Sequence, residues 1–371
     1  MILLWVVILF FTGYACLVLW CCYAWCRIPV FQHSIIEPGI PISIIIPARN
    51  EEENISHLLE AIEEQSYPSA LIEVIVVDDQ STDQTAAIVS SFPHVKLLRL
   101  SKDIQQSHKK RAIEFGIANA SHEWILTTDA DCTPPANWVS QIAAFAAAKD
   151  PVLIVAPVRM EDHDTVSSFF QTIDFMVLQS ITGAMVHRRI LSMCNGANLA
   201  YRKSVFHQVG GFSGIDHIAS GDDMLLMHKI RKQYPNRVHY LKSKEAIVDT
   251  LPQPGWRSFF RQRIRWASKS GNYDDKAIMP VLLLVYLFNA LFPTLLIGGF
   301  YNPVYWHWLG YAWLGKTVVE WPLFIAAAVF FDRKYTISLF PLFQPLHIAY
   351  TLISGLLGQI GQYEWKGRKV R

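Results

Sequence analysis

Cysteine is scarce, and where it occurs it forms no pattern. The 371-residue chain has six, and Cys16, Cys21, Cys22 and Cys26 share one apolar stretch at the amino terminus. Cys132 and Cys194 are all that remain. Two isolated thiols make neither a disulfide framework nor a zinc site, and they suit a reducing cytoplasm. A charge excess is missing too. With 33 basic and 31 acidic residues the formal charge is +2, which excludes the clustered basic surface a nucleic-acid partner would need. Residues 1–26 carry no charged side chain, and Arg27 follows at once. No basic segment precedes this stretch, so it does not read as a cleavable signal peptide. It is long enough to cross a bilayer core of ~30 Å as a helix. Positive charge at its carboxyl end places the amino terminus outside and the following domain in the cytoplasm.

Hydrophobic residues make up 51% of the chain, and the excess lies at its two ends. Apolar segments cover residues 277–300, 303–331 and 335–360. The second contains Lys316 and Glu320, one helical turn apart and able to pair where an isolated charge is expensive. The third contains Pro341, Pro345, Gly355 and Gly358. Basic groups flank it on both sides, so one straight crossing cannot leave both in the cytoplasm, and a bent hairpin or interfacial segment is expected. The chain thus divides into an anchor (1–27), a cytoplasmic catalytic domain (40–250), an amphipathic helix (254–272), a carboxyl-terminal membrane region (277–360) and a basic tail (361–371).

In the middle, β-branched or apolar runs at 42–47, 73–77, 95–100, 124–128 and 152–158 alternate with helical patterns. This predicts an α/β domain with a mostly parallel, doubly wound sheet. Ligands of such sheets bind beyond the carboxyl ends of the strands, where Asn50, Asp79, Asp129 and Asp131 all fall. The stretch Trp124–Asp131 reads WILTTDAD. Two carboxylates closing a buried strand incur a large desolvation cost. A magnesium or manganese ion removes that cost with hard oxygen ligands; an exposed acidic turn is the other reading. Residues 161–164 (EDHD) read as a solvated loop. Asp222 and Asp223 open a helix, either as dipole partners or as chemistry. Residues 256–270 form an aromatic and basic helix. Trp256, Phe259, Phe260, Ile264 and Trp266 oppose Arg257, Arg261, Arg263, Arg265 and Lys269, as in a helix lying at a lipid interface. Gln262, Arg265 and Trp266 share one face of it.

ARNEEENI, VVDDQSTD, TTDAD, NGANLAYRK, GDD and QRIRW occur in that order. Over residues 42–266 the chain thereby resembles membrane-integrated family 2 glycosyltransferases, the group of cellulose, hyaluronan and poly-N-acetylglucosamine synthases and of ceramide glucosyltransferase. The resemblance implies a GT-A fold, a nucleotide-diphosphate sugar donor (UDP-linked by expectation), inversion at the anomeric carbon and Mg²⁺ or Mn²⁺. Asp79 matches the aspartate that holds the donor's base, Asp129 the ribose contact and Asp131 the metal ligand. Asp223 matches the general base, and Gln262, Arg265 and Trp266 match the QxxRW motif. Lys109-Lys110 stands where the family has Gly-Lys, so Lys110 matches the phosphate-contacting lysine, without the glycine. The expected protein is a multi-pass enzyme of the cell (inner) membrane. It would pass a sugar to a lipid or glycan acceptor at the bilayer and form a β-glycosidic bond. A processive polysaccharide synthase and a non-catalytic nucleotide-sugar-binding subunit are the alternatives.

Overall fold

Strand β1 (Ile42–Ala48) is the axis of a seven-stranded sheet. Its isoleucines Ile44, Ile45 and Ile46 are fully buried, as a continuous β-branched run is between two helix layers. The computed structural model describes every residue except 1, 33–38, 102–107, 163, 191–192, 217, 219–220, 269–277, 361–362, 366–367 and 371. Lys269, expected on the basic face, therefore lies outside the described residues. Strands β2 (Ile72–Asp78) and β4 (Trp124–Thr127) flank β1 in parallel, and β3 (Val95–Arg99) pairs in parallel with β2. Beyond β4 comes β8 (Leu199–Arg202), then β6 (Leu153–Val155) and β9 (Val238–Tyr240), giving the order β3-β2-β1-β4-β8-β6-β9. The sheet is mixed, because β8 runs antiparallel to both of its neighbours.

The run 152–158 forms two strands rather than one. Pro157 has no N–H to give to a ladder, and the chain leaves β6 before it. It resumes as β7 (Val158–Met160), which joins β5 (Cys132–Thr133) and β10 (Val248–Thr250) in a separate three-stranded sheet. Helix α2 (Ile55–Glu63) buries Ile55, Leu58, Leu59 and Ile62, at the spacing of one helical face. Around the sheet follow α3 (Thr85–Ser90), α4 (His108–Ala118), α5 (Trp138–Lys149), α7 (Lys203–Gln208) and α8 (Met224–Gln233). Helix α4 approaches the sheet at Gly116, where a β-carbon would sit 2.6 Å from Ile45 Cγ2 and 3.2 Å from Val77 Cγ2.

This sheet unit comprises Ile28–Glu161 and Met185–Leu251; Met1–Arg27, Asp162–Ala184 and Pro252–Arg371 form a helical unit. The helical unit holds α1 (Ile2–Cys26), α6 (Val166–Arg188, as far as Ala184), α9 (Gly255–Ala267), α10 (Ile278–Gly299), α11 (Val304–Phe330) and α12 (Phe340–Ile360). The segment 162–184, inside the expected catalytic block, thus belongs with the helices. Among the described residues five helices are long and apolar enough to cross a membrane, all of these but α9. Helix α6 is mostly buried within the protein, unlike the other four. Lys316 and Glu320 on α11 pair at 2.7 Å. Gln344 of α12 and Tyr14 of α1 join them: the Lys316 ammonium donates to Gln344 Oε1 at 2.5 Å, and Glu320 accepts from Tyr14 and Gln344. Helix α12 is one helix, not a bent hairpin; Pro341 falls in its first turn, where a missing N–H costs little.

Ile45 and Val77 are β-branched and fully buried, so they cannot swing aside for a larger residue at 116. Gly116→Val is expected to destabilise the fold by about 1–3 kcal/mol through overpacking. Chemical denaturation of the purified chain checks this.

Candidate active site

Because β1, β2 and β4 run in parallel, the residues that follow each strand gather along one edge of the sheet. Asp79 extends β2 by one residue, its N–H donating to the Ala48 carbonyl at 2.8 Å, and it is 4% exposed. Arg49 steadies it, with Nη1 2.6 Å from the Asp79 carbonyl oxygen and 4.0 Å from its carboxylate. Asn50 reaches the same edge with a φ of +50°, a conformation asparagine tolerates better than most residues. Its side-chain oxygen accepts the Thr82 N–H at 2.9 Å, and its own N–H donates to Ser81 Oγ at 3.0 Å. Glu52 Oε2 likewise accepts from Gln84 N, and Glu51 N–H donates to Thr85 Oγ1. In this structure Asn50 therefore laces together the two loops that border Asp79.

Asp129 and Asp131 follow β4 on that edge. Lys109, near the start of α4, places its ammonium 2.5 Å from Asp129 Oδ1 and 3.5 Å from Asp222 Oδ2. Burial opposes its charge, but Asp129, Asp222 and Asp223 outweigh that and hold its pKa above the ordinary lysine value. The expectation for Lys110 is corrected by helix phase. Successive helical residues point about 100° apart, so only one of the two lysines can face the acids. Lys110 is 1% exposed, and its ammonium donates to the carbonyls of Ile215 and Ile218 at 2.6 Å each. Asp131 takes no comparable partner. Burial first, then Asp129 and Glu51, push its carboxyl up to about 6, against a smaller opposing effect of Lys109.

The antiparallel strand β8 begins where β4 ends, with Leu199 opposite Thr127. This brings residues 195–198 to the same edge, where Thr127 Oγ1 donates to the Gly196 carbonyl at 3.0 Å. Asp223 caps α8: Oδ1 accepts the Met224 N–H at 2.7 Å, and Oδ2 accepts the Gly196 N–H at 3.1 Å. A β-carbon on Gly196 would lie 3.2 Å from Asp222 Oδ2 and 3.5 Å from Asp223 Cβ, so the glycine leaves room for the acids. The structure thus gathers Asp129, Asp222 and Asp223 around Lys109, a residue singled out in the sequence only as the neighbour of Lys110.

Gln262, Arg265 and Trp266 lie on α9, in the helical unit. Arg263 does not sit with the basic face expected for it. It is four residues after Phe259, so it turns inward with that ring, and both are buried. Its guanidinium lies 4.2 Å from the centre of the Trp266 ring, and Nη1 is 3.4 Å from Gln262 Oε1.

Among the described residues no group of three or more His, Cys, Asp or Glu side chains forms a metal cage. Asp129 and Asp131 nonetheless fit a magnesium- or manganese-type ion. Such an ion takes one or two carboxylates and completes its shell with phosphate and water, and the poorly balanced charge of half-buried Asp131 is what a cation would offset.

A family model described as glycosyl transferase family 2 matches residues 43–210. This stretch is thus similar to family 2 glycosyltransferases. The probable glycosyltransferase YdaM of Bacillus subtilis (strain 168) is 27% identical over 250 residues, covering 65% of this chain and 57% of that protein. Glycosyltransferase AglE of Haloferax volcanii is 30% identical over 188 residues, 49% of this chain and 59% of its own length. The chain thus spans less than two thirds of the curated relatives it matches. In fold, the chain resembles the mannosyltransferase PcManGT from Pyrobaculum calidifontis, solved with GDP-Man and Mn²⁺, at a TM-score of 0.57, 18% identity and 94% coverage of both chains. The likeness is one of GT-A fold.

A divalent cation at Asp131 must compete with a proton. Mn²⁺ affinity should fall as pH drops below about 6, and Asp131→Asn should remove that dependence; Mn²⁺ titration by electron paramagnetic resonance between pH 5 and 8 checks both. The sign for stability is opposite. The fold disfavours the charged carboxylate, so Asp131 lowers the stability of the metal-free chain as pH rises from about 4 to about 6. Added Mn²⁺ should reverse the loss.

Proposed function

We propose that this protein is a glycosyltransferase that moves a sugar from a nucleoside-diphosphate donor to a membrane-associated acceptor, with inversion at the anomeric carbon. The observation that carries the reading is the edge of the sheet. There one ammonium, Lys109, lies against Asp129 and Asp222, and half-buried Asp131 has its charge less well balanced. A cationic group beside a two-carboxylate metal position is what a diphosphate needs.

In this reading Asp79 holds the nucleobase, with its loop braced by Asn50, and Asp129 meets the ribose. Mg²⁺ or Mn²⁺ bound at Asp131, with Asp129 beside it, would supply charge neutralisation for the diphosphate. Lys109, rather than Lys110, contacts the phosphates, and Arg265 stabilises the leaving group as its charge grows. The acceptor oxygen bonds to the anomeric carbon as the bond to the diphosphate breaks, through an oxocarbenium-like state. Asp223 takes the acceptor's proton. Gln262 and Trp266 line the acceptor side, the indole stacking on a sugar or headgroup. One displacement from an α-linked donor gives a β-linked product. The retention of all these acids argues against a non-catalytic subunit.

Four mostly exposed apolar helices, α1, α10, α11 and α12, support a membrane-embedded enzyme. So small a set suits a lipid acceptor entering sideways or a short chain better than a polysaccharide channel. Arg27 after α1 supports a cytoplasmic domain in the inner membrane. A reporter fused after Ile28 should read as cytoplasmic; an external reading would reverse the orientation.

Asp223→Asn tests the base. Asparagine still caps a helix, but its amide cannot accept the Gly196 N–H as well, so a stability loss of about 1–3 kcal/mol is expected from that lost hydrogen bond. Loss of the base should in addition slow single-turnover transfer by about 10² to 10⁴, with donor binding nearly unchanged. A panel of radiolabelled nucleotide sugars selects the donor. Transfer at the parental rate by a folded, donor-binding Asp223→Asn enzyme places the base elsewhere.

A further inference from the structure

The helix bearing Gln262, Arg265 and Trp266 is fixed in the helical unit by directional polar contacts. Arg263 and Asp174 of α6 are each 3% exposed, and Arg263 Nη2 donates to Asp174 Oδ2 at 2.6 Å. The other oxygen of Asp174 accepts the Tyr350 hydroxyl of α12 at 2.5 Å. One turn earlier on α6, Gln171 accepts the Gln253 N–H at 2.9 Å and donates to the Gln253 carbonyl at 3.0 Å. Gln253 lies just ahead of Gly255, where α9 starts. Around the ion pair, Phe170, Phe259 and Tyr350 form a buried cluster, with Trp256, Phe260, Phe343 and Leu346 against it.

Apolar packing alone would leave such a helix free to roll, because aromatic side chains accept many neighbouring angles. A buried ion pair contributes little net stability compared with apolar residues of the same size. What it adds is direction: a guanidinium meets a carboxylate in a narrow range of geometries. Arg263 transmits that direction to the motif, stacked on Trp266 on one side and 3.4 Å from Gln262 on the other.

We propose that Asp174, Arg263 and Tyr350 are positioning residues for transfer, setting the rotation of α9 so that Gln262, Arg265 and Trp266 reach their working geometry. This rests on the assignment of those three residues to the chemistry. A displacement of about 1 Å in such a group can cost about 10²-fold in rate, so the effect should appear in kcat.

The test uses Tyr350→Phe and Arg263→Lys, which leave no buried charge without a partner, in the full chain in lipid nanodiscs. Arg265→Ala serves as reference, and each variant is also combined with it. Turnover is read as nucleoside diphosphate released from the donor that the panel selects. Each single variant should lower kcat about 10- to 100-fold, with donor KM within about threefold. Each should add a smaller loss in the Arg265→Ala background than it causes alone. Amide exchange in residues 255–267 should quicken while that of α10 and α11 stays the same, a readout independent of substrate. Parental kcat in both variants beside a slow Arg265→Ala enzyme overturns the proposal. So do losses that multiply with that of Arg265→Ala, or unchanged exchange in α9. Parental turnover by Arg265→Ala itself overturns the underlying assignment, and the positioning role falls with it.

Discussion

One ammonium group among carboxylates sets the terms of the site. Asp129, Asp222 and Asp223 come from two different segments of chain, and without a cation between them they would repel at short range. Lys109 supplies that cation only because α4 lies close on the sheet, and α4 lies close because residue 116 has no side chain to hold it away from Ile45 and Val77. The balance is incomplete. Asp131 is half-buried, disfavoured as an anion, with its carboxyl pushed up to about 6. That remainder is what a doubly positive ion would balance, and in the proposed function a diphosphate is the companion of such an ion. Structure and chemistry meet here: the packing that stabilises the sheet leaves a charge that ligands must finish neutralising.

The helical unit follows the same rule in an apolar setting. Charges inside long apolar helices persist where they are paired and hydrogen-bonded. Lys316 is fully buried, yet Glu320 and Gln344 satisfy its ammonium. Asp174 would be costly in a helix as buried as α6 without Arg263 and Tyr350. The first cluster joins α1, α11 and α12; the second joins α6, α9 and α12. Helix α12 contributes to both, which makes it the common brace of the unit.

Much of this was legible in the sequence. The alternation of β-branched runs and helical patterns located the central strands within a residue or two, and it put Asp79, Asp129 and Asp131 on one edge. The Lys316–Glu320 pair followed from a spacing of one helical turn. What failed did so for local reasons. Strands of two or three residues, such as β5 and β10, have no periodicity to read. Without a glycine ahead of the two lysines, the sequence leaves the phase of α4 undetermined, and the motif match falls on Lys110 rather than Lys109. Arg263 stands among arginines of the basic face in sequence, although its spacing from Phe259 marks it as inward-facing. Its partner Asp174 stands 89 positions away in sequence, a pairing no short pattern carries.

The anomeric configuration of the product is the most direct measure of the account. An inverting displacement with Asp223 as base converts an α-linked nucleotide sugar into a β-linked product, with no covalent sugar–enzyme intermediate. Proton NMR of the product formed from the selected donor should show the large H1–H2 coupling of a β-gluco-configured sugar, or the corresponding one-bond C1–H1 coupling where the 2-hydroxyl is axial. A product with the α configuration, retained from the donor, would contradict the mechanism and the role assigned to Asp223.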